Sequence, residues 1–328
     1  MKLCDAHTDF LTEIKNKNER ENYIKNICKK IKIISCAVFT TNSTLGVQDV
    51  ENFKKELNYY NRKYKIKLLL SIEDLGFIKT ENDLNKLIKL KPISVTLTWN
   101  EENQFAGGAD SKKGLTKLGI KTIKLLENNN ILIDTAHLSR KAFNQFCKIT
   151  KKPIYNSHSN INVLNKHNRN LNNNQIKKIV NSGGFLGLTF YEKFISNKKI
   201  DCFDIALQFD YLIKKFGYKN FGLGTDLYGI KNENLPKDFK SYNDIKNLIN
   251  ELKKLHYSNK IINAIIYKNY TKFTKIYKNT WKIIKKSILI EYFYIFCIFF
   301  DCGFIFFVKF NYSSWQKLNC VISYVCFK

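Results

Sequence analysis

The sequence predicts an α/β protein built as a (β/α)8 barrel of the TIM type, with C-terminal helices and an apolar C-terminal tail. Two observations predict this fold. Eight apolar runs of strand length recur, most of them followed by a segment of helical period. Residues that bind metals or move protons stand at the ends of several of these runs, and in a barrel the carboxyl ends of all strands meet at one rim. A doubly wound open sheet has the same alternation of strands and helices, so it is the position of these residues at several strand ends that favours the barrel.

The predicted elements alternate along the chain. Gly183-Gly184 and Asn128–Asn130 are typical of helix ends and precede strands. The predicted strands are Lys2–Ala6, Ile33–Phe39, Lys67–Ile72, Ile93–Thr98, Ile131–Asp134, Pro153–Ser157, Gly184–Phe190 and Asn220–Gly224. The predicted helices are Glu19–Lys30, Val50–Tyr60, Leu115–Leu126, Asn174–Asn181 and Asp204–Phe216.

The length of the chain fits one barrel with an appendage. A barrel of this kind needs about 250 residues, and the chain has 328, of which 44% are apolar and 14% aromatic, as in a globular protein. We therefore place the barrel at residues 1–282 and treat 283–328 as a separate tail.

The net charge of +27 first suggests a nucleic-acid partner, but its composition argues against one. Only four of the 55 basic residues are arginine, the residue that nucleic-acid readers favour for two-pronged and stacking contacts. The lysines are scattered among asparagine and isoleucine instead of clustering. The sequence therefore predicts no nucleic-acid partner.

The nine cysteines form no C-x-x-C pair, and the chain enters a strand-like run at Lys2 without a signal peptide ahead of it. This pattern is typical of reduced thiols, so the sequence predicts a cytoplasmic protein.

The end of the first predicted strand carries His7 and Asp9. Side chains two residues apart in a strand face the same side, so these two project together. An imidazole beside a carboxylate suits a borderline-soft divalent metal such as zinc.

Four further strand ends carry residues of the same types. They are Glu73 after the third strand, His137 after the fifth, His158 after the sixth and Asp226 after the eighth. Each has an ordinary structural explanation when taken alone, since Asp226 could cap a helix and Glu73 could be a solvated charge. Because five strand ends carry such residues together, the sequence predicts a two-metal hydrolytic site at one rim.

Several stretches resemble the membrane dipeptidase family, within the wider metal-dependent amidohydrolase-like barrels. The resemblance runs from about residue 2 to about residue 280. The matching stretches are DAHTD (5–9), SIE (71–73), SVTLTWN (94–100), GLTKLG (114–119), LIDTAHLS (132–139), SHSN (157–160), HNRN (167–170) and GLGTDLYG (222–229). Their order and spacing make the resemblance specific.

The resemblance implies a peptidase with two zinc ions per chain. It places His7 and Asp9 on one ion and His137 and His158 on the other, with Glu73 bridging both. It also implies that a metal-bridging hydroxide hydrolyses the peptide bond of a dipeptide, and that a C-terminal D-residue is tolerated.

The remaining predicted site residues handle the proton and the substrate. Asp226 is predicted to carry the proton from the attacking water to the leaving amine. Arg169 stands out in a chain that uses lysine almost everywhere, which indicates a need for a planar, two-pronged donor to a dipeptide's free carboxylate. An ordinary surface charge is the alternative for Arg169. Trp99 and Asn170 are the other predicted substrate-binding residues.

Two positions depart from the family pattern. Trp99 stands where many members carry a histidine that contacts the substrate and the reaction intermediate, so that stabilisation is absent or comes from another donor such as the indole N–H. Tyr228 replaces the family's second acid. The first departure bears on substrate preference and rate more than on metal binding, and the second is tolerable because Asp226 itself remains.

The composition changes after about residue 282. Residues 287–308 are rich in phenylalanine, isoleucine and tyrosine and are long enough to span a bilayer. Glu291 and Asp301 interrupt them, each at a cost of about 2.5–3.5 kcal/mol near the middle of a span. Three interpretations stay open: a segment that tethers the protein to a membrane, an element packed on the barrel or on a second copy in a homodimer, and an altered reading frame.

The leading hypothesis is a zinc dipeptidase of broad specificity whose partner is a small dipeptide. An amide, lactam or ester hydrolase with the same site is the alternative enzyme, and poor activity on dipeptides with a free carboxylate would indicate it. A non-catalytic metal-binding barrel is the alternative outside catalysis, although such a barrel usually lacks a ligand or the proton shuttle.

Overall fold

The computed structural model describes residues 2–41, 44–275, 306–308 and 322–324. Eight strands form one parallel sheet, and each strand pairs with the next one along the chain. The predicted (β/α)8 barrel is confirmed. The strands are β1 (Leu3–Thr8), β2 (Ile31–Phe39), β3 (Lys67–Glu73), β4 (Ser94–Thr96), β5 (Leu132–Asp134), β6 (Tyr155–Asn156), β7 (Phe185–Leu188) and β8 (Phe221–Leu223).

Backbone hydrogen bonds at the carboxyl rim join the beginning of the barrel to its end. Thr8 pairs with Leu227, and its hydroxyl donates to the Leu227 carbonyl at 2.8 Å. The amide of Asp226 donates to the His7 carbonyl, and the amide of Asp9 donates to the Leu227 carbonyl, both at 3.1 Å. The seam between β1 and β8 is therefore closed by the backbone of three predicted site residues.

All five predicted helices are present, and their ends lie within four residues of the predicted ones. Two helices that the pattern did not predict follow β3 and β5. They begin after Thr80 and Ser139, whose side chains accept from backbone amides of the first turn. The helices are α1 (Phe10–Glu13), α2 (Lys17–Ile27), α3 (Val47–Tyr64), α4 (Glu81–Leu90), α5 (Lys117–Asn128), α6 (Arg140–Ile149), α7 (Asn173–Asn181), α8 (Glu192–Ile195), α9 (Cys202–Phe216), α10 (Ile245–Lys254) and α11 (Asn259–Asn263), with short 3₁₀ turns at Leu75–Phe77, Asn232–Asn234 and Tyr242–Asp244.

The last helical segment closes the amino end of the barrel. α11 runs into a π-helical turn at Ala264–Lys268, and residues 269–274 continue as helix. The Asn269 amide donates to the Phe221 carbonyl at 2.8 Å, and the Phe273 ring stacks on Tyr155 with centroids 5.4 Å apart. Both partners begin their strands, so this segment covers the amino end and leaves the carboxyl rim open.

The chain divides into two units, Met1–Thr274 and Lys275–Lys328. In the second unit, β9 (Phe306–Val308) pairs antiparallel with β10 (Ile322–Tyr324). Most of the predicted tail, including nearly all of 287–308, lies outside the described residues. Within the part of the chain that the structure describes, every helix is too short or too polar to cross a bilayer.

Candidate metal centre

The five predicted metal-binding side chains converge at the carboxyl rim, and all of them are at least nine-tenths buried. Parallel strands bring residues that are far apart in sequence to the same edge. The residues are His7 in β1 and Asp9 just after it, Glu73 at the end of β3, His137 after β5 and His158 after β6.

Glu73 lies between the imidazole of His7 on one side and the imidazoles of His137 and His158 on the other. Its Oε2 is 3.2 Å from Nε2 of His7, which is also 3.3 Å from Oδ2 of Asp9. Its Oε1 is 2.8 Å from Nε2 of His137 and 3.7 Å from Nε2 of His158. One carboxylate oxygen thus faces each group, which is the arrangement that a bridging ligand needs.

Neighbouring side chains set the orientation of the imidazoles. Nδ1 of His137 lies 2.8 Å from Oδ1 of Asn100, and because an amide oxygen only accepts, Nδ1 carries the proton and Nε2 keeps its lone pair. The Ser157 hydroxyl lies 2.7 Å from Nδ1 of His158 and 3.4 Å from Nδ1 of His7. In each of the three imidazoles, Nε2 is left to face the carboxylate of Glu73.

His137 and His158 are held in the neutral form that binds metals. Burial, reinforced by the Arg169 guanidinium, lowers the pKa of His137 to about 3. Burial, reinforced by the charge on His7, holds the pKa of His158 well below its usual range. Their Nε2 atoms are 2.9 Å apart. Two such nitrogens beside the carboxylate of Glu73 form a set of acceptors that a cation would stabilise.

The side of the metal centre that contains His7 and Asp9 attracts positive charge. Burial opposes protonation of His7, but the carboxylates of Asp9 and Glu73 outweigh it and raise the pKa of His7 well above its usual range. Within the described part of the chain, Nε2 of His7 and Oδ1 of Asp9 are buried atoms without a hydrogen-bond partner. A divalent cation bound here would satisfy both atoms, so the residues fit a metal centre.

Two overlapping sets of potential ligands result, and in each set the ligand atoms lie within 4.8 Å of one another. One set is His7, Glu73 and His158, and the other is His7, Asp9 and Asp226. Both combine nitrogen and oxygen donors, as zinc sites commonly do.

Asp226 stands at the edge of the metal centre and is mostly buried. Its Oδ1 is 3.7 Å from Nε2 of His7, and 17% of its side chain is exposed. Burial raises its pKa well above the usual range; His7 opposes this rise, and the carboxylates of Asp9 and Glu73 add to it. Gly229 packs against the carboxylates of Asp9 and Asp226. A Cβ at this position would collide with Oδ2 of Asp9 and Oδ1 of Asp226.

A cavity of about 690 Å³ opens above the cluster. Asp9, Glu73, His137 and Asp226 lie in its wall together with a set of aromatic residues, which are Phe39, Trp99, Tyr191, Phe194 and Tyr228. The Trp99 ring stacks on His137 with centroids 5.9 Å apart and meets Phe39 edge-on at 5.6 Å. Trp99 therefore lies in the cavity, where its ring face covers one side of His137.

Arg169 lies in the same wall and is 5% exposed. Its Nη2 is 3.0 Å from Nε2 of His137 and donates to the His158 carbonyl at 3.3 Å, and its guanidinium lies over the Phe194 ring at 5.5 Å. Within the described residues, its Nε is buried without an acceptor. The guanidinium therefore has donor capacity left for an anion in the cavity.

Asn170 is placed differently from the other predicted substrate-binding residues. It is buried, and it is not among the described residues that line the cavity. Its amide donates to the Asn165 carbonyl at 2.8 Å and to the Phe194 carbonyl at 2.6 Å. These contacts fix the loop that carries Arg169.

Replacing Asn100 with alanine is expected to weaken metal binding by about 10- to 100-fold, the usual effect of losing a partner that orients a ligand. The reason is that His137 would lose the acceptor that fixes its proton on Nδ1. Competition with a chelator measures the affinity. Asn144→Ala, which removes an exposed amide that pairs with Lys178, serves as the control and should bind metal as the wild type does.

A sequence model of the membrane dipeptidase family, peptidase family M19, matches residues 4–287. The chain belongs to this family. Membership makes this M19 protein a hydrolase of the metallopeptidase class, as the resemblance of its motifs predicted.

Individual proteins resemble this chain at low sequence identity. An uncharacterized protein encoded in the pqqA 5′ region of Klebsiella pneumoniae is 28% identical over 220 residues, covering 63% of this chain and 79% of that protein. An uncharacterized dipeptidase of Schizosaccharomyces pombe is 30% identical over 176 residues, covering 51% of this chain and only 42% of its own length. A metallo peptidase of Rhodobacter sphaeroides, solved with a phosphinate mimic of L-Ala-D-Ala, shares the fold with a TM-score of 0.73 at 16% identity over 84% of this chain and 99% of its own.

The sequence did not single out several residues that shape the centre of this M19 protein. Ser157 and Gly229 lie inside the matched stretches SHSN and GLGTDLYG, so their position beside predicted ligands was the available signal. Asn100 ends the matched stretch SVTLTWN, but the direction of its side chain depends on how the segment after β4 turns. Asp5 and Asp134 precede predicted ligands by two and three residues, which does not distinguish them from ordinary strand residues.

Proposed function

We propose that this protein is a dipeptidase that holds two zinc ions in the metal centre. One ion is assigned to His7 and Asp9 and the other to His137 and His158, with Glu73 bridging them. The observation that carries the proposal is the position of Glu73, whose two oxygens lie 3.2 Å from Nε2 of His7 and 2.8 Å from Nε2 of His137. Membership of a dipeptidase family supports the reaction class.

Arg169 is assigned to the free carboxylate of the dipeptide. Its guanidinium reaches the cavity beside His137, so a carboxylate bound there would place the neighbouring peptide bond over the metal centre. A two-pronged pair of this kind fixes both the position and the orientation of the substrate.

Asp226 is assigned to proton transfer. Divalent ions held by the assigned ligands would lower the pKa of an attacking water and polarise the scissile carbonyl. Asp226 takes the proton from that water on Oδ1 and gives it to the nitrogen of the leaving amine. The raised pKa of Asp226 supports this role, because the carboxyl can hold a proton between the two transfers.

A C-terminal D-residue is proposed as an accepted substrate feature. The support is the Rhodobacter sphaeroides structure, whose ligand mimics L-Ala-D-Ala. Trp99 and the other aromatic residues of the cavity wall would contact the side chains of the dipeptide.

The experiment that tests the proposal measures bound zinc per chain and the release of amino acids from L-Xaa–D-Ala and L-Xaa–L-Xaa dipeptides. Two zinc ions with turnover of either series support a dipeptidase. Two ions without turnover would contradict the dipeptidase assignment and favour hydrolysis of another amide, lactam or ester. A chain without bound metal in excess zinc would contradict the metal centre itself.

Arg169→Lys is expected to raise KM for dipeptides about tenfold or more with a smaller change in kcat. Lysine keeps the charge but loses the two-pronged geometry, and one hydrogen bond to a charged group contributes about 1.5–3 kcal/mol. Steady-state kinetics on a dipeptide and on its C-terminal amide measure the effect, and the ratio between the two substrates should collapse. Arg140→Lys, at the exposed start of α6, is the matched control. An unchanged ratio in Arg169→Lys would contradict the assigned role.

Removing the metal is expected to lower the melting temperature by several degrees. Ions that bind only the folded state stabilise it by about 2.7 kcal/mol per site when the free ion is at a hundredfold excess over Kd. Without them the carboxylates of Asp9 and Glu73 are compensated only by the protonated imidazole of His7. Thermal unfolding with a chelator, and again after zinc is restored, measures the change; an equal melting temperature in both would contradict the prediction.

A further inference from the structure

Two buried carboxylates lie beside the metal centre without being ligands in the proposed function. They belong to Asp5 in β1 and Asp134 at the end of β5, which are 0% and 2% exposed. Burying a carboxylate is costly unless hydrogen bonds compensate it. The donors that each one has collected are therefore informative about its role.

Asp5 joins β1 to the segment that carries Asp226. Its Oδ1 accepts from the amide of His7 at 3.2 Å and from the amide of Thr225 at 2.9 Å. Its Oδ2 accepts from the Thr225 hydroxyl and from the Tyr242 hydroxyl, the latter at 2.6 Å. One side chain thus ties a proposed ligand to the residue just before the proposed proton carrier.

Asp134 makes the corresponding connection between β5 and β6. Its Oδ1 accepts from the amide of Ala136 at 3.0 Å and from the amide of Ser157 at 2.9 Å. Ala136 directly precedes His137, and Ser157 directly precedes His158. This carboxylate therefore ties together the two backbone segments that present the second pair of ligands.

The backbone needs such support because two of the site residues are strained. His137 has φ 68° and Asp226 has φ 62°, in the left-handed region where a residue with a side chain costs about 1–2 kcal/mol. In both cases the amide immediately before the strained residue donates to the buried carboxylate: Ala136 to Asp134, and Thr225 to Asp5. The same pattern of hydrogen bonds therefore occurs twice, once between β1 and the segment after β8 and once between β5 and the segment after β6.

We propose that Asp5 and Asp134 are positioning residues, each responsible for one half of the metal centre. Asp5 holds the backbone that presents His7 and Asp226, and Asp134 holds the backbone that presents His137 and His158. The inference rests on the proposed two-metal function, because it assigns one positioning residue to each ion. Neither carboxylate contacts the substrate in this assignment.

The test uses the full chain with Asp5→Ala, Asp134→Ala and the matched asparagine variants. Backbone hydrogen exchange is measured on the metal-free protein, and the affinity of each Zn²⁺ ion is measured by competition with a chelator. Asp134→Ala is expected to speed exchange around residues 136 and 157 and to weaken one ion about tenfold or more, with the other nearly unchanged. Asp5→Ala is expected to act around residues 7 and 225 and on the other ion.

Asparagine keeps an oxygen acceptor, so both asparagine variants should stay close to the wild type and rescue the metal affinity that alanine loses. Asp201→Ala, which removes a cap of α9 outside the cavity, is the control and should bind both ions normally. If an alanine variant does not fold, its asparagine partner decides, because loss of both ions in that variant would overturn the proposal. Tyr242→Phe is a second test of the role of Asp5. We expect slightly weaker binding of one Zn²⁺ ion, and equally weaker binding of both ions would contradict the proposal.

The outcomes separate this inference from the proposed function. If the wild type binds two Zn²⁺ ions and folded alanine variants bind both as tightly, the positioning roles are wrong and the metal centre stands. Equal weakening of both ions in each alanine variant would also overturn the inference, since it would indicate general loosening. A wild type that binds no Zn²⁺ overturns both.

Discussion

Asp226→Asn is expected to lower kcat for dipeptide hydrolysis by about 10²- to 10⁴-fold, the usual contribution of a positioned acid or base, while both metal ions stay bound. The amide has nearly the shape of the carboxyl and leaves the backbone hydrogen bond to His7 intact. It cannot take a proton from water and return it to a leaving amine. Steady-state kinetics and zinc content, measured on the same preparation, give the two quantities.

Asp210→Asn is the matched control for Asp226→Asn. The Asp210 carboxylate pairs with Lys214 at 2.8 Å and with the Tyr257 hydroxyl at 2.7 Å, away from the cavity wall. This variant should keep wild-type kcat. An Asp226→Asn enzyme that retains more than a third of wild-type kcat would rule out Asp226 as the proton carrier, and loss of zinc together with activity would make it a ligand instead.

Glu73→Gln is expected to bind at most one zinc ion and to lose dipeptide turnover. One oxygen of Glu73 faces His7 and the other faces His137, whereas an amide offers one oxygen and a nitrogen that cannot bind metal. The loss of affinity should exceed the roughly 100-fold upper limit for residues that only orient a ligand. Zinc content after dialysis and affinity by chelator competition measure it.

The control for Glu73→Gln is Glu127→Gln on α5. Glu127 is half-buried and accepts from the Thr150 hydroxyl, outside the cavity wall. It should bind two ions and turn over dipeptides normally. A Glu73→Gln protein with two tightly bound ions would show that the carboxylate does not bridge them.

The positions of the charged site residues could be predicted because the barrel itself brings them together. Once eight strands alternate with helices, a residue such as Glu73 or His158 at a strand end can only lie at the carboxyl rim. β6 shows how little regular strand this requires, since only Tyr155–Asn156 pair where the sequence predicts Pro153–Ser157. The fold is robust to such differences because neighbouring strands fix the path of the chain.

The orientation of side chains was beyond the sequence. Arg169 and Asn170 are adjacent in the sequence, yet the Asn170 amide fixes a loop whereas the Arg169 side chain lines the cavity. The left-handed backbone at His137 cannot be read from its residue type, because histidine does not require it. Such features are set by hydrogen bonds between distant segments, as from Ser157 to Asp134.

Thr8 and Leu227, which close the barrel, are 219 residues apart in sequence, so a newly synthesised chain cannot close the barrel until Leu227 has been made. At about 5–20 residues per second, roughly ten to forty seconds of translation separate the two halves of this seam. During that interval Asp5 lacks Thr225, and Asp9 has no Asp226 beside it. The nascent chain therefore leaves the ribosome before Asp226 has joined Asp9, and the backbone that presents His7 is fixed to the backbone before Asp226 only after the last strand of the barrel has been made.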